Sequence, residues 1–208
     1  MAAGLTNHQA IRQVKTTSGN SPLTNGQYGE AAGQTFIDGT PVQLNASGFI
    51  SAWDGATVTN GVLGIVPGQA NNLASNALGA PTQPFGSVGL GAGLFFGSVP
   101  NQTAAKNIPR GAPLVDGRLV VELAVPDTWF EAQIDNSSTG TAVIAVTLVK
   151  GQYGLTIDST GHWYVDLSKT GGANAVLVVK QLNPTDPLGT PFGRVWFTFL
   201  PTASQLSV

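Results

Sequence analysis

Two histidines, His8 and His162, are the only imidazoles of this chain, and it has no cysteine. Close to His162 stand Asp158, Ser159 and Asp166, so an acid, a hydroxyl and an imidazole share one short stretch. Acyl transfer needs more than these types in proximity. The nucleophile sits on an elbow of the form G-x-S-x-G, the base is held by the acid, and an oxyanion hole faces both. The run Asp158-Ser159-Thr160-Gly161 has the form of a turn, and His162 reads as a turn or strand residue. Asp127 and Glu131 flank Trp129-Phe130 and are the closest approach to a glycosidase pair beside aromatic platforms. Pro126-Asp127-Thr128 again has turn chemistry, and any surface turn offers as much. No catalytic residue is assigned.

Metal and phosphate chemistry fare no better. Zinc asks for three or four His, Cys or carboxylate ligands at recognisable spacing, and two distant histidines do not supply them. Calcium accepts Asp, Asn and backbone oxygens, which Asp135-Asn136-Ser137-Ser138 and Asp158-Ser159-Thr160-Gly161 contain. Neither run has the dense alternating acids of a calcium loop, and both read as turns. Gly86-Ser87-Val88-Gly89-Leu90-Gly91-Ala92-Gly93 lacks the Gly-Lys-Ser/Thr ending of a phosphate loop and leads into Leu94-Phe95-Phe96, a strand pattern. No metal and no cofactor is expected.

Composition explains why chemistry is scarce. Only 10% of the 208 residues are charged, against about a quarter in an ordinary domain. The net charge of −2 gives no basic face for nucleic acid or an acidic membrane. No apolar run approaches the roughly 18 residues that span a bilayer. The beginning, Met1-Ala2-Ala3-Gly4-Leu5-Thr6, has no secretory pattern, so synthesis in the cytoplasm is expected. With 42% hydrophobic content and so little charge, the surface is uncharged and polar or is covered by partners.

The elements are read as short strands. Glycine (27) and proline (13) impose many turns and few long helices. β-Branched and aromatic stretches lie at 35–37, 41–44, 49–53, 62–66, 86–88, 93–99, 114–115, 118–125, 130–134, 141–149, 154–157, 163–167, 175–182 and 194–200. The one internal helical candidate is 101–107, and residues 1–15 have room for a helical turn or two, with Ile11 and Val14 three apart. Residues 1–33 sustain no apolar period and read as an extended arm. An all-β fold follows: a β-tulip, barrel- or sandwich-like body behind that arm, as one elaborated fold or as modules 34–110 and 111–208. The echo between Leu44-Asn45-Ala46-Ser47-Gly48-Phe49 and Ile157-Asp158-Ser159-Thr160-Gly161-His162 fits two modules, or merely two similar hairpins. Of the four tryptophans, Trp196 is expected in the core from its alternation with Val195 and Phe197. Trp129 and Trp163 are candidate interface aromatics.

The stretch Gly48-Phe49-Ile50-Ser51-Ala52-Trp53-Asp54-Gly55, followed by Val62-Leu63-Gly64-Ile65-Val66, resembles the strand, Trp-Asp-Gly turn and second strand of the lambda-type capsid decoration proteins of tailed bacteriophages. The similarity runs over residues 39–75, with Trp53, Asp54 and Gly55 as its motif. The resemblance implies a structural virion protein without enzymatic activity. It would act as a cement on the outer surface of the expanded capsid, bound to the major capsid protein as a homotrimer at threefold or quasi-threefold positions. Residues 1–33 would be the arm that orders on the shell, so that deleting 1–30 leaves a folded body. The chain is about twice the usual length of that family, and the part from roughly 110 onward has no counterpart. The other reading is a tail, fibre or head-surface module that recognises glycan by stacking sugars on Trp129 and Trp163.

Overall fold

In a computed structural model of the chain, residues 9–17, 25–29, 36–55, 61–67 and 118–206 are described. The candidates at 86–88, 93–99, 101–107 and 114–115, and His8, fall outside them. The described residues form eleven strands and three single turns of 3-10 helix, so the all-β expectation holds. The strands are β1 (Arg12–Thr16), β2 (Asn25–Gly29), β3 (Thr40–Leu44), β4 (Ile50–Ala52), β5 (Gly64–Val66) and β6 (Arg118–Leu123). After them come β7 (Thr128–Asp135), β8 (Gln152–Ile157), β9 (Trp163–Thr170), β10 (Leu177–Leu182) and β11 (Arg194–Phe199).

Strands β7, β9, β8, β10 and β11 pair in that order, and β11 returns to β7, closing a five-stranded barrel. Alternation dictates which side chains fill it. Phe130, Ala132 and Ile134 of β7, Trp163 and Val165 of β9, and Val195, Phe197 and Phe199 of β11 belong to one buried cluster. Phe130 stacks on Phe197 at 5.9 Å and meets Phe199 edge-on at 5.3 Å. Four of the five barrel seams are antiparallel. The fifth, β7 with β9, is parallel and short, with Val165 opposite Ile134 and Asp166 opposite Asp135.

The second sheet is antiparallel, in the order β2-β6-β5-β3-β4. Its central strand β5 is buried on both faces, which is why Val62-Leu63-Gly64-Ile65-Val66 reads as a continuous apolar run. Val62 and Ile65, with Trp53, join the barrel cluster, whereas Leu63 and Val66 pack with Phe36, Val42, Ile50 and Val121. The alternation slips at Gly64, where a Cβ would stand 2.2 Å from the Glu122 carbonyl oxygen and 2.6 Å from Val121 Cγ1. Only glycine allows that approach.

The two sheets share a core and are tied twice more. Chain 124–127 runs directly from β6 into β7. Past β11 the chain returns to the second sheet, where Ser204 bridges Val62 and its Oγ donates to the Ala124 carbonyl at 2.6 Å. Gln205 accepts from Leu44 N at 2.7 Å and donates to Leu44 O at 3.1 Å.

The arm expected over 1–33 differs from what forms there. β1 is a sixth strand of the barrel sheet, antiparallel to the first half of β7, and Ile11 lies in the barrel cluster. β2 is paired along its whole length with β6. Removing residues 1–30 would strip both strands, and Ile11 with them, from the sheets, so a loss of stability is expected from this deletion. The expected boundary at 110/111 likewise assigns β6 to the second module, whereas it pairs with β2 and β5. The strand expected at 141–149 is a loop with a 3-10 turn at Val146–Leu148. Its one bridge, Val143 to Pro191, faces a residue with no N–H to extend a ladder.

Glu122 sits where β1 meets the second sheet. It is buried, and Oε2 accepts the Gln13 backbone N–H at 2.8 Å. Desolvation pushes its carboxyl above the usual range, opposed only in part by that hydrogen bond. A raised folded-state value means that stability is fullest while the acid is protonated. It falls as the pH climbs through the unfolded value toward the folded one. Glu122→Gln is therefore expected to unfold at a higher temperature than the wild type at pH 7 and at the same temperature near pH 3. Thermal melts across pH measure both, and a variant equal to the wild type at pH 7 would contradict the assignment.

Candidate interaction surface

The outer face of β7 carries Trp129, Glu131, Gln133 and Asp135, one position out of phase with its core residues. Glu131 is the hub of this face. Its Oε1 accepts from Arg12 Nε at 3.1 Å and Nη2 at 2.7 Å, and Arg194 Nη1 stands 3.5 Å away. Its Oε2 accepts from Trp196 Nε1 at 2.8 Å and from Asn183 Nδ2. Arg194 in turn grips Asp186 through its backbone N (2.7 Å), Nε (3.0 Å) and Nη2 (2.8 Å). Those bonds, first of all the side-chain ones, hold the Asp186 carboxyl below the usual range. Lys15 Nζ lies 4.1 Å from the centre of the Trp129 ring and 4.9 Å from that of Trp196.

This network decides several sequence expectations. Glu131 is saturated by structural donors, while Asp127 is an exposed turn residue whose carbonyl accepts from Thr17 N at 2.7 Å. The acid pair is not brought together across a cleft. Trp129 is half-buried, with its Nε1 on Thr17 Oγ1 at 3.0 Å and one face under Lys15. Trp196, expected in the core, lies on the outer face, because Val195 and Phe197 take the inward positions. Trp163, the other candidate interface aromatic, is 6% exposed and belongs to the core.

Trp163 meets the Trp-Asp-Gly motif there. Trp53 packs on it with ring centres 5.7 Å apart and planes tilted by 37°. Asp54 is exposed, and Gly55 takes a positive φ of 73°. A Cβ on Gly55 would come within 3.3 Å of Trp163 Cη2. The motif thus clasps the second sheet to the barrel.

The paper triad near His162 dissolves into a hairpin. Asp158 Oδ1 accepts from Thr160 N (2.8 Å), Thr160 Oγ1 (2.7 Å) and His162 N (3.0 Å), and Oδ2 accepts from Tyr164 Oη (2.9 Å). Burial would raise this carboxyl, but the four bonds outweigh it and bring it to about 2. His162 Nδ1 shares a 2.9 Å hydrogen bond with Thr160 Oγ1. The acid thus fixes a turn, with a hydroxyl between it and the ring. The Asn45 hairpin repeats this chemistry. Asn45 Oδ1 accepts from Ser47 N and Phe49 N, and Gly48 matches Gly161 in positive φ (79° and 93°). The echo in the sequence is therefore a shared turn, placed once in each sheet.

The face with the character of a docking surface lies on the paired loops between β7 and β8 and between β10 and β11. Val143, Val146 and Leu188 are 45%, 65% and 63% exposed. The segments 141–149 and 187–193 contain no charged residue. Three backbone bonds join them: Ile144 N to Thr190 O (3.0 Å), Gly189 N to Ile144 O (2.8 Å) and Phe192 N to Ala142 O (2.9 Å). Ala142, Ile144 and Leu148 anchor the lobe in the core. The sequence offered a signal, the uncharged apolar run 141–149, which reads as a strand in place of a loop. No protein-family model, curated protein or solved structure matches this chain.

Proposed function

We propose that the chain is a structural virion protein, a capsid decoration protein that binds the outer surface of an expanded major capsid protein lattice as a trimer and stabilises it. The observation that carries this reading is the uncharged apolar lobe of Val143, Val146 and Leu188, on two loops that are joined by backbone hydrogen bonds and carried by a closed barrel. Large apolar side chains exposed together on paired loops suit a protein surface. A trimer presents three copies of one such patch, so modest contacts multiply through effective concentration. A ligand that binds only the expanded lattice stabilises that state by mass action. The resemblance over residues 39–75 points the same way. The glycan reading loses support, because Trp163 is buried and Trp129 is engaged by Thr17 and Lys15.

Co-sedimentation with expanded and unexpanded heads tests the proposal. Binding is expected to expanded heads alone. The double variant Val146→Asp, Leu188→Asp is expected to weaken it tenfold or more, about 1.4 kcal/mol, with little change in the melting temperature. Equal binding by the variant, or binding to a sugar array in place of heads, would reject it.

A further inference from the structure

The parallel seam of the barrel has a feature that neither the fold nor the proposed function uses. Asp135 and Asp166 are register partners on β7 and β9. They share the outward face, since Ile134 and Val165 beside them point into the core. Both are nonetheless buried, Asp135 at 4% exposure and Asp166 at 0%. Among the described residues no lysine, arginine or histidine forms an ion pair with either one. Asp166 is met by neutral donors: Ser137 Oγ on Oδ2 at 2.5 Å, and Ser168 N (3.0 Å), Ser168 Oγ (2.7 Å) and Ser137 N (3.2 Å) on Oδ1. These bonds favour its ionised form. Among the described residues Asp135 Oδ1 is buried without a hydrogen-bond partner. An isolated buried carboxylate oxygen beside a second carboxylate is among the most unfavourable arrangements a protein can hold.

We propose that a divalent cation, calcium by its chemistry, binds at this seam between Asp135 and Asp166, with Ser137 Oγ as a neutral ligand. Three things favour it. Asp135, which carries the orphan oxygen, shares a sheet face with its register partner Asp166, and Ser137, two residues past Asp135, already reaches across to that carboxylate. The ligands are hard oxygens in an irregular set, which calcium accepts and magnesium, with its strict octahedron, does not. The position also has a purpose. β7 and β9 are joined by only two register pairs, at the one parallel seam of the barrel, and a cation shared by the last pair would clamp the closure. Two carboxylates and a hydroxyl suit an affinity of about 10⁻⁴–10⁻³ M, as in modules that work outside cells.

The full chain is tested by calorimetric titration with calcium chloride, by melting in calcium or EDTA, and by carboxyl ¹³C NMR. Expected are one ion per chain and a higher melting temperature in millimolar calcium. The Asp135 and Asp166 resonances should move while those of Asp158 and Asp186 stay in place. Asp135→Asn keeps the shape and removes the charge. It should melt in EDTA at or above the wild-type temperature and lose at least tenfold in affinity. No binding at millimolar calcium, undiminished binding by Asp135→Asn, or resonance shifts confined to other carboxyls would each overturn the site. Should the variant not fold, the wild-type resonances alone decide.

Discussion

Glu131→Ala is expected to cost about 3–5 kcal/mol of unfolding free energy, the penalty for breaking a buried charged pair from one side. The carboxylate is almost wholly buried and serves five donor atoms on four side chains. Those side chains come from β1, from the loop after β10 and from β11. Truncation leaves Asn183 Nδ2 and the Trp196 N–H without this acceptor and Arg194 with Asp186 and Thr185 alone, and an orphaned buried donor loses about 1–3 kcal/mol. Arg12 adds little, because its side chain is 63% exposed and water replaces the bond. Glu131→Gln keeps one acceptor oxygen but turns an amide N–H₂ toward other donors, so an intermediate loss is expected. Arg12→Ala should change stability by less than about 1 kcal/mol. Urea unfolding of the three variants checks the order. A Glu131→Ala variant within 1 kcal/mol of the wild type would show that the network is ornamental.

The same hub marks the limit of what the sequence discloses. β9 and β11 were legible, because Trp163 and Val165, or Val195, Phe197 and Phe199, alternate with polar or outward residues. β1 was not. Its residues Arg12-Gln13-Val14-Lys15-Thr16 carry no apolar period, since their partners are Glu131, Trp129 and Trp196 on an outer face. Those partners lie more than a hundred positions away in sequence, and no local pattern announces them. For the same reason Trp196 read as core: alternation gives two faces and does not say which is inward. The segment 141–149 failed in the opposite sense. Its β-branched residues promised a strand, yet Pro191 opposite Val143 cannot propagate a ladder, and Val143 and Val146 turn outward. Turn chemistry travelled best, since Asn45 and Asp158 make the same side-chain bonds to their own following backbone wherever they sit. The seam aspartates show the remaining gap. The sequence offers Asp135 within a turn of oxygen ligands and Asp166 beside His162, and only a parallel pairing brings the two side by side.

The second large effect concerns the Trp-Asp-Gly motif. Trp53→Ala is expected to cost about 3–5 kcal/mol, the range for deleting a buried aromatic. Trp53 is buried against Trp163 at the junction of barrel and second sheet, so its removal opens a cavity that neither sheet can close alone. Trp53→Phe separates packing from polarity. Among the described residues the indole Nε1 of Trp53 is buried without a hydrogen-bond partner, so phenylalanine gives up no bond there and relieves an unsatisfied donor. It should recover most of the lost stability, leaving a deficit of about 1.5 kcal/mol or less from the smaller ring. Gly55→Ala probes the same clasp from the backbone. It forces a Cβ onto a residue with φ of 73° and presses it toward the Trp163 ring, and a loss of about 1–2 kcal/mol follows. Denaturant melts followed by tryptophan fluorescence report all three, because Trp163 is one of the emitters. Were the motif a docking epitope with no role in the clasp, Trp53→Ala would leave the melt unchanged and lower only shell binding. Burial and the ring contact argue instead that stability falls first, and that any loss of binding follows from it.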